Sequence, residues 1–197
     1  MCKKMVIFFV LLGIIALVFY VYTSLFFGGG FDKKYTREEL TKNFVEHESA
    51  FYDLVTTFKS EVSGNGDTLV SLGFNKKNKV NLTLTPQVID TNIKAIGGRN
   101  LEFDSPALDS ALQVLAWTKN TLELLRDKMS KTNCNWIRTT GIYGNPIEVY
   151  PSQKGWGTFS YLIFDSPISD SLLQVHGKTI SNSRFGSSVV LSYSSAL

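Results

Sequence analysis

Histidine and cysteine, the side chains most often used to hold metals, are scarce here: two of each in 197 residues. Cys2 and Cys134 flank a long apolar run on opposite sides, which argues against an internal disulfide. A secreted disulfide scaffold and a structural zinc site of paired cysteines are excluded with it. Cys134 is therefore expected as a small buried apolar residue. A strong charge of one sign is also missing. The net charge is +3, and Lys3 and Lys4 precede the apolar run, so the rest of the chain is near +1. Nucleic acid is not an expected partner, because its binders present a clearly basic face. No stretch has the low-hydrophobicity, high-charge composition of a disordered chain, and no internal repeat is visible.

Charge is absent altogether from residues 5–27, MVIFFVLLGIIALVFYVYTSLFF. As a helix, this run is roughly 34 Å long and can cross a hydrocarbon core of about 30 Å. Tyr20 and Tyr22 lie near one end, where amphipathic rings are often found. The apolar core of a cleaved signal peptide is shorter and ends at a small-x-small site, and no such site follows this run. The expectation is an uncleaved transmembrane helix at 5–27 whose partner is the lipid bilayer. Residues 1–4 form a short cytoplasmic tail, 28–35 a linker and 36–197 an extracytoplasmic domain. Lys3 and Lys4 favour a cytoplasmic N-terminus. Lys33, Lys34 and Arg37 lie beyond the other end, so the orientation rests on the tendency of short tails to stay inside.

The 36–197 segment is long enough to enclose a hydrophobic core without staples. Thr36 and Glu39 form a T-x-x-E capping box. Leu40, Phe44, His47, Phe51, Leu54, Phe58 and Val62 follow on one helical face. In the next pair of strands, Val70, Leu72 and Phe74 face Val80, Leu82 and Leu84, with Asn81, Thr83 and Thr85 outward. Pairing Phe74 with Val80, Leu72 with Leu82 and Val70 with Leu84 keeps both apolar faces together. Gly97-Gly98 reads as a turn within the less regular residues 86–104. Ser105-Pro106 caps a second helix with an apolar face of Leu108, Leu112, Leu115, Leu122, Leu125 and Met129, interrupted by Lys119. Strands are expected at 135–139, 147–150, 157–165 and 187–193, with a short helical turn opening at Ser166-Pro167. The fold class is α+β: after the N-terminal transmembrane helix, one domain of two main helices packed on an antiparallel sheet.

The segments YTREELTKNFVEHESAFYDL, DKMSKTNCNWI and GWGTFSYLIFDSPISDSL give the chain a resemblance to small single-span envelope proteins of Gram-negative bacteria. The resemblance spans most of residues 35–175. It implies an envelope location, with the domain of a bacterial inner-membrane protein facing the periplasm, and brings no catalytic residue, cofactor or partner.

Sites of chemistry are few. His47 lies on an apolar helix face without a second histidine at metal-ligand spacing, and is expected as a hydrogen-bonded histidine at the core edge. Cys134, His176 and Asp165 or Asp170 can be assembled into a nucleophilic triad, but no G-x-S-x-G elbow or protease-type cysteine motif supports one. Neither Gly28-Gly29-Gly30 nor Gly97-Gly98-Arg99 has phosphate-loop spacing. Lys76, Lys77 and Lys79 crowd a hairpin tip that is expected to be solvated. Trp156 and Tyr150 are aromatics in turn-like settings, and Asn81 heads an N-x-T sequon. No catalytic, cofactor-binding or metal residue is therefore assigned. The expected function is a membrane-anchored, non-catalytic envelope protein whose domain binds a macromolecular partner, such as another envelope protein. The alternative is an envelope hydrolase with an unrecognised active site.

Overall fold

The computed structural model describes residues 35–64, 68–75, 77–86, 95–141, 144–151, 157–170, 183–185 and 187–195. The expected span at 5–27, Gly28-Gly29-Gly30, Lys76, Trp156, His176 and residues 171–173 of the expected helical turn lie outside them, while Ser166, Pro167, Ile168 and Ser169, where that turn was expected to open, are not helical. Among the described residues no helix is long and apolar enough to cross a membrane.

The Thr36 box closes as expected. Thr36 Oγ1 accepts from the Glu39 N–H at 3.1 Å, and Glu39 Oε2 accepts from the Thr36 N–H at 2.9 Å. They start helix α1 (Arg37–Glu46), which ends at His47, where the backbone turns to φ −122° and ψ 21°. Helix α2 (Glu48–Val62) follows at once. The Phe51 N–H still reaches the His47 carbonyl at 3.0 Å, so the apolar stripe stays in phase through the bend. The second predicted helix is likewise two: α3 (Pro106–Leu115) and α4 (Lys119–Lys131). Ala116 takes the left-handed conformation at φ 54°, and Thr118 starts a new capping box with Thr121. Two expected helices are thus four among the described residues. Lys119, which breaks the stripe, is the first residue of α4 and pairs with Asp104 at 2.8 Å.

Among the described residues, eight strands form one antiparallel sheet: β1 (Thr68–Phe74), β2 (Val80–Pro86), β3 (Ile96–Leu101), β4 (Cys134–Thr139), β5 (Ile147–Pro151), β6 (Gly157–Ile163), β7 (Ser183–Phe185) and β8 (Val189–Ser195). Their order is β3-β2-β1-β4-β5-β6-β8-β7. The β1–β2 register pairs Phe74 with Val80, Leu72 with Leu82 and Val70 with Leu84, as the alternation requires. The Gly97-Gly98 turn is a correction. Both glycines lie in edge strand β3, where the pairing to β2 is irregular. Gly97 has φ +95°, and a Cβ there would sit 2.0 Å from the Leu82 carbonyl oxygen, so the glycine permits close backbone approach.

The described residues fall in one unit with two unequal sheet faces. The inner face gives Leu72, Leu82, Ile137, Val149, Tyr161 and Leu191 to a core shared with Phe51, Phe58, Leu108, Leu122 and Leu125 of the helices. Phe51 is fully buried, with its ring 5.1 Å from Phe44 and 4.8 Å from Tyr161. Leu162 and Val190 point the other way and join Phe164 and Ile168 in a small separate cluster that contains no helical residue. The domain is therefore α+β, with its described helices on one side of the sheet.

Candidate functional site

The outer face of the central strands carries a cluster that antiparallel register builds directly. Gly73 of β1 faces Trp136 of β4, which faces Tyr150 of β5. One step along, Ser71 faces Arg138, which faces Glu148. Residues directly opposite or diagonal across antiparallel strands are within side-chain reach. The diagonals here are made. Trp136 Nε1 donates to Ser71 Oγ at 2.6 Å, the Arg138 guanidinium lies over the Tyr150 ring at 5.4 Å, and Ser160 Oγ donates to Glu148 Oε1 at 2.6 Å.

Glu148 is the buried charge of this face. Its side chain is 9% exposed, against 46% for Arg138. Arg138 Nε and Nη2 both donate to Glu148 Oε2, at 2.7 and 2.6 Å. Burial works against the guanidinium charge, but the adjacent carboxylate outweighs it, and Arg138 is held above its ordinary value. Burial, then the Glu148 carboxylate, pushes the Tyr150 phenol upward, so it stays neutral. Trp136 is fixed from below, because a Cβ on Gly73 would meet its Cε3 at 2.5 Å and Cδ2 at 2.7 Å. The result is an indole laid against β1 beside a guanidinium anchored by one edge.

A second feature is a cleft of about 370 Å³ lined by Tyr35, Glu39, Leu40, Asn43, Asn133, Cys134 and Pro151. Its amides are engaged with one another. Asn133 Nδ2 donates to Asn43 Oδ1 at 2.9 Å, and Asn43 Nδ2 donates to the Thr132 carbonyl at 3.1 Å. His47 Nε2 lies 3.3 Å from Asn133 Nδ2, so His47 is a hydrogen-bonded residue at the core edge, as expected.

The other sequence candidates are dispersed. Cys134 is buried, and burial pushes its thiol up to about 12, which removes the thiolate a nucleophile needs. Asp165 pairs with Lys59 at 2.5 Å, and Asp170 is exposed. Lys79 is paired with Glu102 at 2.6 Å, and Lys77 is exposed. Asn81 lies on the outer face as expected, opposite Gly73, but is 8% exposed there, and its Oδ1 accepts the Asn100 N–H at 2.8 Å. Among the described residues, no group of three or more His, Cys, Asp or Glu is placed to hold a metal.

Sequence reasoning missed the outer cluster. The alternation of Trp136 with Arg138 and of Glu148 with Tyr150 was the available signal. No protein-family model matches this chain, and neither a curated protein nor a solved structure matches it.

Proposed function

We propose that this chain is a membrane-tethered binding protein. Residues 5–27 anchor it in the bilayer, with the N-terminus cytoplasmic and the folded domain outside the cytoplasm. The outer sheet face is where the domain meets an envelope macromolecule. The observation that carries this reading is the Trp136–Arg138–Tyr150 group on the face without described helices. Tryptophan, tyrosine and arginine supply most hot-spot energy at binding surfaces, because they combine large contact area with directional donors. A tether raises the effective concentration of such a surface near partners in the same membrane, so modest affinity suffices.

The hydrolase alternative draws its support from the cleft. There the titratable groups include Glu39, which already caps α1, and Cys134, whose proton burial retains. That chemistry favours binding over turnover. Two measurements test the proposal. The intact protein should stay in the membrane pellet after an alkaline wash with residues 1–27 retained, and a soluble form starting near Gly28 would sink the anchor. A photo-reactive residue at Thr83, beside the cluster, should give discrete adducts in native membranes that Trp136→Ala abolishes. Substrate turnover lost in Cys134→Ser would instead promote the hydrolase.

A further inference from the structure

The outer face has a composition specific enough to name a ligand chemistry. We propose that it recognises an acidic saccharide, stacking one sugar ring on Trp136 and taking the carboxylate of that ring or its neighbour on the exposed guanidinium of Arg138. The inference rests on the reading of this face as the partner surface.

The first part of the argument is the platform. The Trp136 ring is pinned at two points along β1, with its benzenoid carbons on Gly73 and Nε1 on Ser71 Oγ at 2.6 Å. The indole is half-buried, with Gly73 on one side of its strand and Tyr150 on the other. The ring cannot tilt inward without displacing backbone, nor lift without losing its hydrogen bond. A rigid apolar plane with its polar edge already satisfied suits the C–H face of a pyranose.

The second part is the guanidinium. Arginine has five N–H donors in a fixed fork. The Nε side edge is occupied by Glu148 Oε2. The Nη1 end of the fork points away from that carboxylate, with the Tyr150 hydroxyl interacting beside it, and its exposed N–H groups are charged donors of the kind that bind a carboxylate. Solvent meets the cation rather than its counter-ion, since Glu148 is 9% exposed and Arg138 46%. Glu148, Ser160 and the Tyr150 ring hold the fork in place, so a ligand finds it already ordered.

The third part is spacing. Trp136 and Arg138 are alternate residues on one strand, so they share a face about 7 Å apart. That matches a sugar ring with an acidic group at its rim. Single-stranded nucleic acid also stacks on aromatics, but it needs a track of cations along its backbone. On this face Arg138 stands among the hydroxyls of Ser71 and Thr83, and Arg184, opposite Val190, lies four strands away, so the two do not form such a track.

The test uses the full-length protein in lipid nanodiscs, titrated with oligogalacturonate and with its neutral methyl ester. Binding is read by calorimetry and by tryptophan fluorescence. The acidic oligomer should bind, and esterification should weaken it by about tenfold or more, because the charge-assisted pair is lost. Trp136→Ala should abolish binding. Arg138→Gln alone strands a buried carboxylate, so the paired variant Arg138→Gln/Glu148→Gln keeps the contact neutral and folded, and it too should abolish binding. Absence of binding, equal binding of acid and ester, or binding indifferent to Trp136→Ala and the paired variant would each overturn the proposal. If the Thr83 photo-adduct in native membranes is a protein lost in Trp136→Ala, the saccharide is wrong while the binding face stands. If neither an adduct nor a saccharide complex forms, both readings fall.

Discussion

Gly73→Ala probes the platform more sharply than any change to the tryptophan itself. The added methyl would lie 2.5 Å from Trp136 Cε3, 2.7 Å from Cδ2 and 3.1 Å from Cζ3. Carbon atoms pack at about 3.5–4.0 Å, so the ring must retreat by about 1 Å. Retreat sacrifices the 2.6 Å bond from Nε1 to Ser71 Oγ, worth about 0.5–1.5 kcal/mol. It also forces χ angles off their wells, at a similar cost of about 0.5–1.5 kcal/mol. Against this, alanine is favoured over glycine within a strand by roughly 0.5–1 kcal/mol. The net expectation is a loss of about 1–2 kcal/mol. In a Trp136→Ala background the clash disappears and only the favourable term remains, so Gly73→Ala should then stabilise by about 0.5–1 kcal/mol. The two sites should therefore couple by roughly 2 kcal/mol in a double-mutant cycle. Urea unfolding of a soluble fragment spanning residues 31–197, followed by circular dichroism, measures all four corners. Additivity within about 0.5 kcal/mol would mean that the indole does not rest on Gly73, and the platform argument would fail.

Phe51→Ala removes a fully buried ring in contact with the rings of Phe44 and Tyr161 and should cost about 3–5 kcal/mol; a loss under about 1 kcal/mol would show the α2 face to be unpacked. Glu148→Ala leaves Arg138 without its counter-ion and should cost about 2–3 kcal/mol, tempered because Arg138 can reach water. Arg138→Met/Glu148→Leu should recover most of that loss, and a double variant less stable than Glu148→Ala would contradict the desolvation argument. In a Cys2→Ser background, Cys134 should resist thiol reagents at pH 8 until the protein is unfolded. Its folded value near 12, against 9.0 for a free thiol, means the native state keeps the proton longer. Stability from this group is complete below about pH 9 and drains away as pH rises toward 12, a slope that Cys134→Ala should lessen in alkaline unfolding curves.

Local chemistry was legible where a few adjacent residues decide the outcome. The Thr36 box, the Ser105-Pro106 start and the β1–β2 register all follow from short patterns, and each appears in the structure. The helix breaks were not legible because they preserve phase. His47 bends the chain without losing a helical step, and Leu115 and Leu122 are seven positions apart, two turns of an unbroken helix, although Ala116–Thr118 separate them. Edge strand β3 was hidden because its two glycines mimic a turn while serving close approach to Leu82. The burial of Glu148 was hidden for another reason. Its own strand fixes only which face it occupies; Arg138 and Ser160, which enclose it, come from β4 and β6.

The inner and outer faces of the sheet answer to different requirements. Leu72, Leu82, Ile137 and Val149 on the inner face supply the apolar burial that holds the helices. Nothing comparable explains Arg138, Glu148 and Ser160. Removing two charges from water costs several kcal/mol per ion, and their mutual attraction seldom does more than offset it. Leucine and valine already occupy the equivalent outer positions at Leu162 and Val190, so this face can take apolar residues a few ångströms away. Stability alone would favour extending that apolar patch. What the ion pair provides instead is an exposed guanidinium held by Glu148, beside an indole hydrogen-bonded to Ser71. Such pre-organisation lowers the entropy a ligand must lose on binding. On the proposed reading the cluster serves recognition rather than folding, and the paired apolar replacement tests this, since it should spare the fold while silencing the face.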